Sequence, residues 1–199
     1  MFIGSNDLVI QESTNSRTSN VICTRRWPCR RLTCKRCYVK RRGFFVYSGL
    51  EHIKSCDLDT FLTLSWIGST DENVWGQLLT DARMLFKAMS GKMRWHYIRV
   101  LSVGVEKRTP HIHIILGEAA ASVISKLSKS RWPESIRLNI KQMDNPHGLL
   151  GYVFDQNYKL GFLDQTRPKG VRLLTASRPM ETGFPTGQQL KKLWSRVNE

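Results

Sequence analysis

Two features are scarce in this chain of 199 residues: acidic side chains and long apolar runs. Its 16 Asp and Glu residues stand against 31 Lys and Arg residues, so the formal net charge is +15. This balance indicates a protein that binds a polyanion, with nucleic acid favoured over an anionic membrane surface. No apolar run approaches the roughly 20 residues of a membrane span, and the N-terminus lacks the pattern of a secretory signal. We expect a cytoplasmic protein with neither a membrane partner nor a small-molecule substrate.

A chain of this length can bury one main core and a small satellite module. Composition divides it into four segments. Residues 1–20 are rich in Ser, Asn and Thr and are expected to be a flexible leader. Residues 21–43 form a basic, cysteine-rich module, residues 44–165 the main domain, and residues 166–199 a basic extension that ends in a helix.

Acidic residues are absent altogether from residues 17–42, which contain ten basic residues. The same stretch holds four cysteines, and a Cys-x-x-Cys pair within such a set is typical of structural zinc sites. A set of unrelated, reduced cysteines is the alternative. The zinc ligands would be Cys23, Cys29, Cys34 and Cys37. The residues expected to contact DNA phosphates are Arg30, Arg31, Lys35, Arg36, Lys40, Arg41 and Arg42, with Lys159 further along the chain.

The hydrophobic pattern after residue 43 alternates between strand and helix periodicity, which predicts an α+β domain. Two β-rich runs, residues 97–105 and 111–116, are joined by a short polar stretch and are predicted to form a hairpin. Other strands are predicted at residues 61–66 and 136–140, and helices at residues 71–89, 119–130 and 148–158.

The second run of the hairpin, from Pro110 to Leu116, contains His111 and His113. Residues two apart on a strand point to the same face, so the two imidazoles lie side by side while Ile112 and Ile114 face the core. Paired imidazoles on a rigid sheet can hold a divalent cation, and a mixed nitrogen and oxygen shell suits Mn²⁺ or Mg²⁺. The alternative is a pair of solvent-facing strand histidines without a ligand.

The block from Pro110 to Leu116 resembles the two-histidine motif of the HUH endonucleases, which include rolling-circle replication initiators, relaxases and single-tyrosine transposases. The resemblance extends to residues 61–65, where initiators carry their first motif strand, and to residues 148–152, where they carry a catalytic tyrosine on a helix. It implies a ferredoxin-like or RRM-like antiparallel sheet with flanking helices, the histidines on a middle strand and the tyrosine beside them.

The resemblance also implies a nucleophilic tyrosine that attacks a scissile phosphate and leaves a 5′-phosphotyrosine and a free 3′-hydroxyl. Tyr152 is the first choice for this role and Tyr158 the second. They are six residues apart, which indicates a single-tyrosine enzyme. Initiators commonly carry a lysine one turn after the tyrosine, whereas here no lysine follows Tyr152 before Lys159.

Two residues compete for the place of third metal ligand. Gln156 lies one helical turn after Tyr152, as in some single-tyrosine transposases of the superfamily. Glu106 shares a strand face with His111 if Lys107 and Arg108 form a two-residue turn. Neither is favoured by the sequence.

The function expected from the resemblance is nicking and joining of single-stranded or origin DNA, which initiates rolling-circle replication of a phage or plasmid with the help of a host helicase. A single-tyrosine transposase of an insertion sequence is the first alternative. A zinc-stabilised regulator that binds nucleic acid without cutting it is the second.

Overall fold

In a computed structural model, the described residues are 35–67, 74–104, 109–131, 136–160 and 174–177. They form a five-stranded antiparallel sheet with two helices on each face, which confirms the expected α+β class. No helix in these ranges is long and apolar enough to cross a membrane. The helices are α1 (Lys35–Cys56), α2 (Val74–Ser90), α3 (Glu118–Arg131) and α4 (Pro146–Leu160), and the strands are β1 (Thr60–Trp66), β2 (Tyr97–Val103), β3 (Pro110–Leu116), β4 (Ile136–Gln142) and β5 (Leu174–Ala176).

The strand order is β4-β1-β3-β2-β5, so the strand that carries both histidines is the central one. The predicted hairpin is confirmed, because β2 and β3 pair antiparallel with Ser102 opposite His111. On its other side β3 pairs with β1, which brings Ser65 opposite His111 and Thr63 opposite His113. The sequence patterns did not predict β5, which adds only three residues to the edge at β2.

The two faces of β3 belong to two separate cores. Ile112 and Ile114 are fully buried against α2 and α3, as the alternation of the sequence predicts. Ile115 faces the opposite core, which is formed with α1 and α4. The odd-numbered face therefore carries the histidines toward α4, and this arrangement positions the site.

Helix α1 is continuous through Gly43, where the sequence analysis placed the boundary between the cysteine-rich module and the main domain. It ends at Cys56 because Asp57 adopts a left-handed conformation with φ of 51°. The amide of Leu58 then donates to the carbonyl of Ile53 at 3.0 Å, which is the bond of a Schellman motif. The predicted boundary thus falls inside a helix whose later turns pack in the second core.

The start of α4 is fixed by its own sequence. The Asn145 side chain accepts a hydrogen bond from the amide of Gly148 at 2.8 Å, and Pro146 occupies the first helical position, where its missing N–H costs nothing. Leu150 and Val153 then face the second core. A Cβ atom at Gly49 would lie 2.8 Å from Leu150 Cδ1, so glycine allows α1 and α4 to pack closely.

Candidate active site

His111 and His113 lie on one face of the central strand, 8% and 6% exposed. Their ring centroids are 4.5 Å apart and the rings meet edge to face at 70°. Because β3 pairs with a strand on each side, the backbone that carries the rings is fixed by two sets of hydrogen bonds. The expectation of two imidazoles side by side is met, and both are buried.

The ring of His113 is held from two directions. Its Nδ1 atom lies 3.1 Å from Thr63 Oγ1, and its face stacks on Phe61 with a centroid distance of 5.1 Å. Burial, followed by the neighbouring His111, lowers the pKa of His113 to about 3. At neutral pH the ring is therefore uncharged and retains a nitrogen lone pair, as a metal ligand must.

The proton of His111 is placed by a backbone contact. His111 Nδ1 lies 3.3 Å from the carbonyl oxygen of Thr109, which can only accept, so Nδ1 carries the hydrogen. Burial lowers the pKa of His111, and the Thr109 contact opposes that shift. The neutral ring therefore leaves Nε2 with its lone pair, which is the tautomer that a carbonyl bonded to the other ring nitrogen selects in metal sites.

Gln156 links the histidine pair to Tyr152. Its Oε1 atom lies 3.4 Å from His113 Nε2 and accepts a hydrogen bond from Ser102 Oγ at 3.1 Å. Its Nε2 atom donates to the hydroxyl oxygen of Tyr152, one turn earlier on α4. Tyr152 is 53% exposed, so its phenol stands at the boundary between the buried histidines and solvent.

A second group of polar side chains lies where α1 crosses α4. Arg42 Nε donates to Asp155 Oδ1 at 2.7 Å, and the hydroxyl of Tyr38 donates to the same oxygen. Burial and the bond to Asp155 raise the pKa of Tyr38 to about 12. A Cβ atom at Gly151 would collide with Arg42 Nη2, so the guanidinium packs directly on α4, one residue before Tyr152.

Several residues of this site were not predicted from the sequence. Thr63 and Ser102 orient His113 and Gln156, yet in the sequence they are ordinary polar positions of strands. Arg42 was expected to bind phosphate, but its partner Asp155 was not predicted. No local pattern identifies these pairs, because each joins elements that are distant in the chain.

Other expected site residues are not brought to this site or lie outside the described ranges. Glu106, Arg30 and Arg31 lie outside the described ranges. Of the four cysteines predicted to bind zinc, Cys37 is buried in α1, and the other three also lie outside the described ranges. Tyr158 and Lys159 belong to α4, and Lys35 and Arg36 to α1, but the structure does not describe their side chains. Lys40 is exposed on α1, whereas Arg41 is 5% exposed. Burial removes Arg41 from the surface on which we expected it to meet phosphate.

The donor set fits a divalent cation of the kind that the sequence analysis expected. His111 and His113 offer two imidazole nitrogens and Gln156 offers an amide oxygen, a mixed shell that suits Mn²⁺ or Mg²⁺. The described residues contain no cluster of three or more His, Cys, Asp or Glu side chains arranged for a metal. Among the described side chains, the third ligand of this site would thus be an amide.

No model of a protein family matches the sequence, and neither curated proteins nor solved structures gave a match.

Proposed function

We propose that this chain is a metal-dependent endonuclease of the HUH type that nicks and rejoins single-stranded DNA through Tyr152. One observation carries the proposal: a continuous set of hydrogen bonds connects the Tyr152 hydroxyl, through the Gln156 amide, to the buried His113. If the two histidines had no function, hydrogen bonds from them to a half-exposed tyrosine would not be expected. The central position of β3 and the packing of α4 on the same sheet face agree with the HUH fold that the sequence resembles.

The proposed reaction is a transesterification at phosphorus. The Tyr152 oxygen forms a bond to the scissile phosphorus, and the bond from phosphorus to the 3′-oxygen breaks. The phenol loses its proton to solvent and the 3′-oxygen gains one, which leaves a 5′-phosphotyrosine and a free 3′-hydroxyl. Attack by a 3′-hydroxyl on the phosphotyrosine reverses these changes and joins the strand.

Each residue of the site has a defined part in this scheme. His111 Nε2, His113 Nε2 and Gln156 Oε1 would hold the cation, which would polarise the phosphate and stabilise the negative charge that develops on it. For His113 this requires the other neutral tautomer, in which the ring hydrogen lies on Nδ1 and is donated to Thr63 Oγ1, instead of the one in which Nε2 donates to Gln156 Oε1. Thr63 fixes the ring of His113, and the Thr109 carbonyl fixes that of His111. The Gln156 N–H that reaches Tyr152 orients the phenol oxygen and leaves its hydrogen free to depart.

We assign Gln156 as the third ligand, and Glu106 is the competing assignment. The contacts of Gln156 with His113 and Ser102 support the first choice. The hydrogen bond from Ser102 Oγ holds the amide oxygen of Gln156 toward the histidines.

The remaining parts of the proposal rest on the sequence alone. The cysteines of residues 21–43 would hold a structural Zn²⁺, and Lys40 and Arg42, both on α1, would contact DNA phosphates. The biological role would be initiation of rolling-circle replication of a phage or plasmid, with a host helicase opening the duplex. A second candidate role, that of an insertion-sequence transposase, is supported by the contact between Gln156 and His113, because some single-tyrosine transposases use a glutamine one turn after the tyrosine.

The test is formation of a covalent protein–DNA adduct. Full-length protein is incubated with Mn²⁺ and labelled single strands derived from phage, plasmid and insertion-sequence ends, then denatured and separated by electrophoresis. We expect wild type to give an adduct that requires the cation, and Tyr152→Phe to give none. Tyr158→Phe is the matched control on the same helix and should retain it.

Two further variants separate ligand from nucleophile. Gln156→Leu and Thr63→Val should each raise the Mn²⁺ concentration needed for half-maximal adduct formation by about tenfold or more. At saturating Mn²⁺, Thr63→Val should form the adduct as wild type does. An adduct in Tyr152→Phe would transfer the role to Tyr158. Wild type that binds single strands equally well with and without chelator, and forms no adduct with any of them, would support the non-enzymatic regulator instead.

A further inference from the structure

A cluster of aromatic rings lies on the sheet face opposite the histidines, at the start of β2. Trp95 and Tyr97 have ring centroids 4.7 Å apart, and Phe86 of α2 lies 5.3 Å from Trp95 and nearly parallel to Tyr97 at 10°. The guanidinium of Arg99 stands 5.8 Å from the Phe86 ring. All three rings are only partly buried against the first core. We call these four residues the aromatic patch.

The segment of sequence that contains the aromatic patch is basic. Residues 82–99 contain five basic residues and no acidic residue. The positions that are exposed among them are Arg83, Lys87, Lys92 and Arg94. Positive charge interleaved with partly exposed aromatic rings is the composition of surfaces that bind single-stranded nucleic acid, where bases stack on rings and cations hold the backbone.

Polar atoms beneath the aromatic patch have unmet hydrogen-bonding capacity. Arg99 Nε and Thr175 Oγ1 are buried and make no hydrogen bond with any described group, and the two residues are partners in the β2–β5 register. Burial lowers the pKa of Arg99, Tyr97 opposes this shift, and the charge of Arg83 adds to it. Buried polar groups ordinarily find a partner, and an anion beside Arg99 would supply one to its guanidinium.

We propose that the aromatic patch is a second binding surface for single-stranded DNA, with an unpaired base stacked on Trp95 and Tyr97 and a backbone phosphate held by Arg83 and Arg99. The inference rests on the proposed function, because it assigns this surface to the strand that Tyr152 cuts. The patch is separate from the cutting site. Tyr97 lies five residues before Ser102 on β2, roughly 17 Å along the strand, and on the other sheet face.

Such a surface would hold the strand away from the point of attack. After cleavage, one DNA end is attached to Tyr152 and the other, with its free 3′-hydroxyl, has no covalent link to the protein. A flanking segment bound at the aromatic patch would keep that second end near the site until joining. The patch therefore contributes to retention of the strand and takes no part in the chemical step.

The test measures binding without cleavage. Full-length protein in chelator is titrated against a fluorescent single-stranded oligonucleotide, and anisotropy gives the dissociation constant. Trp95→Leu should weaken binding by roughly fivefold to a hundredfold, the range for loss of a stacked base, whereas Trp95→Phe preserves a ring and should stay within about twofold of wild type. Arg99→Gln should weaken binding and reduce the slope of log affinity against log salt by about 0.7. Lys141→Gln, an exposed change of equal charge on β4, is the matched control.

A photocrosslink places the contact directly. An oligonucleotide with halogenated uridines, irradiated with the wild-type protein, should yield a crosslinked peptide that contains Trp95 or Tyr97. Crosslinks confined to other segments, together with unchanged affinity of Trp95→Leu and Arg99→Gln, would overturn the proposal. The proposal would also be overturned if the patch variants lost affinity for duplex DNA and for single strands equally, since a paired base cannot stack on the rings. Loss of affinity for RNA alone would overturn it as well.

These outcomes are independent of the adduct assay. If the aromatic patch binds single strands but no adduct forms, the nuclease proposal fails and the binding surface stands. If adducts form and the patch variants bind normally, the second surface fails alone.

Discussion

The burial of His113 makes a quantitative prediction for the metal-free protein. The pKa of this ring falls from 6.5 to about 3 on folding because burial and His111 disfavour its charged form. A histidine with a lowered folded-state pKa stabilises the native state fully above the unfolded-state value. That stability is lost as the pH falls from 6.5 toward 3, because the unfolded chain takes up a proton that the folded chain refuses.

The magnitude follows from the same two pKa values. Each unit of difference corresponds to about 1.4 kcal/mol, so lowering the pH from about 7.5 to about 4.5 should remove roughly 2 to 3 kcal/mol through this one residue. Other groups contribute too, since burial also lowers the pKa of His111 and of His52. The informative quantity is therefore the difference between wild type and a variant that cannot titrate at position 113.

The assay is urea unfolding in the presence of chelator at a series of pH values, with wild type compared with His113→Gln. The variant should show a shallower loss of unfolding free energy between about pH 6.5 and 4.5. His147→Gln, which removes an exposed histidine at the start of α4, should follow the wild-type curve. Parallel curves for wild type and His113→Gln would refute the argument that His113 is buried in its neutral form. If His113→Gln does not fold, the histidine ring resonances of wild type supply the test, since that of His113 should not titrate above about pH 4.5.

Two further predictions concern the crossing of α1 and α4. Gly49→Ala should destabilise the protein by about 1 to 3 kcal/mol in urea unfolding, because the new methyl group meets the buried Leu150. The control is Gly43→Ala, in open space on the same helix, which should stabilise the protein by about 0.5 to 1 kcal/mol. A stabilising Gly49→Ala would contradict the close packing of α1 on α4. Asp155→Asn removes the ion pair with Arg42 and should lower the free energy of unfolding by about 1 kcal/mol or less at low salt. This difference should become smaller in about 1 M salt, which screens the charges. A difference that does not change with salt would show that the pair acts by packing alone.

Local periodicity predicted much of the architecture. The alternation in Pro110–Leu116 correctly places Ile112 and Ile114 in one core and both histidines on the opposite face. The hairpin with β2 and the helices α2, α3 and α4 were also predicted from short-range spacing. These features depend on interactions between residues near in sequence, which is why pattern alone sufficed.

Other elements were ambiguous or missed for the same reason. Residues 44–47, at the start of the predicted main domain, are an unbroken run of apolar and aromatic residues that is compatible with strand or helix, and packing against α4 makes them part of the continuous α1. β5 has three residues, too few for a periodic signal, and it exists because the edge of β2 accepts it. Element type at such positions is decided by the neighbours.

By itself, the sequence determined that two imidazoles stand together on a strand and that a tyrosine and a glutamine share a helical face, because strand and helix geometry fix those spacings. Only the tertiary structure decided that the two pairs meet. α4 packs on the same face of the sheet as His113, and hydrogen bonds from Thr63 and Ser102 orient His113 and Gln156. Contacts between residues 43 or more positions apart depend on which faces bury together, and no local pattern encodes that choice.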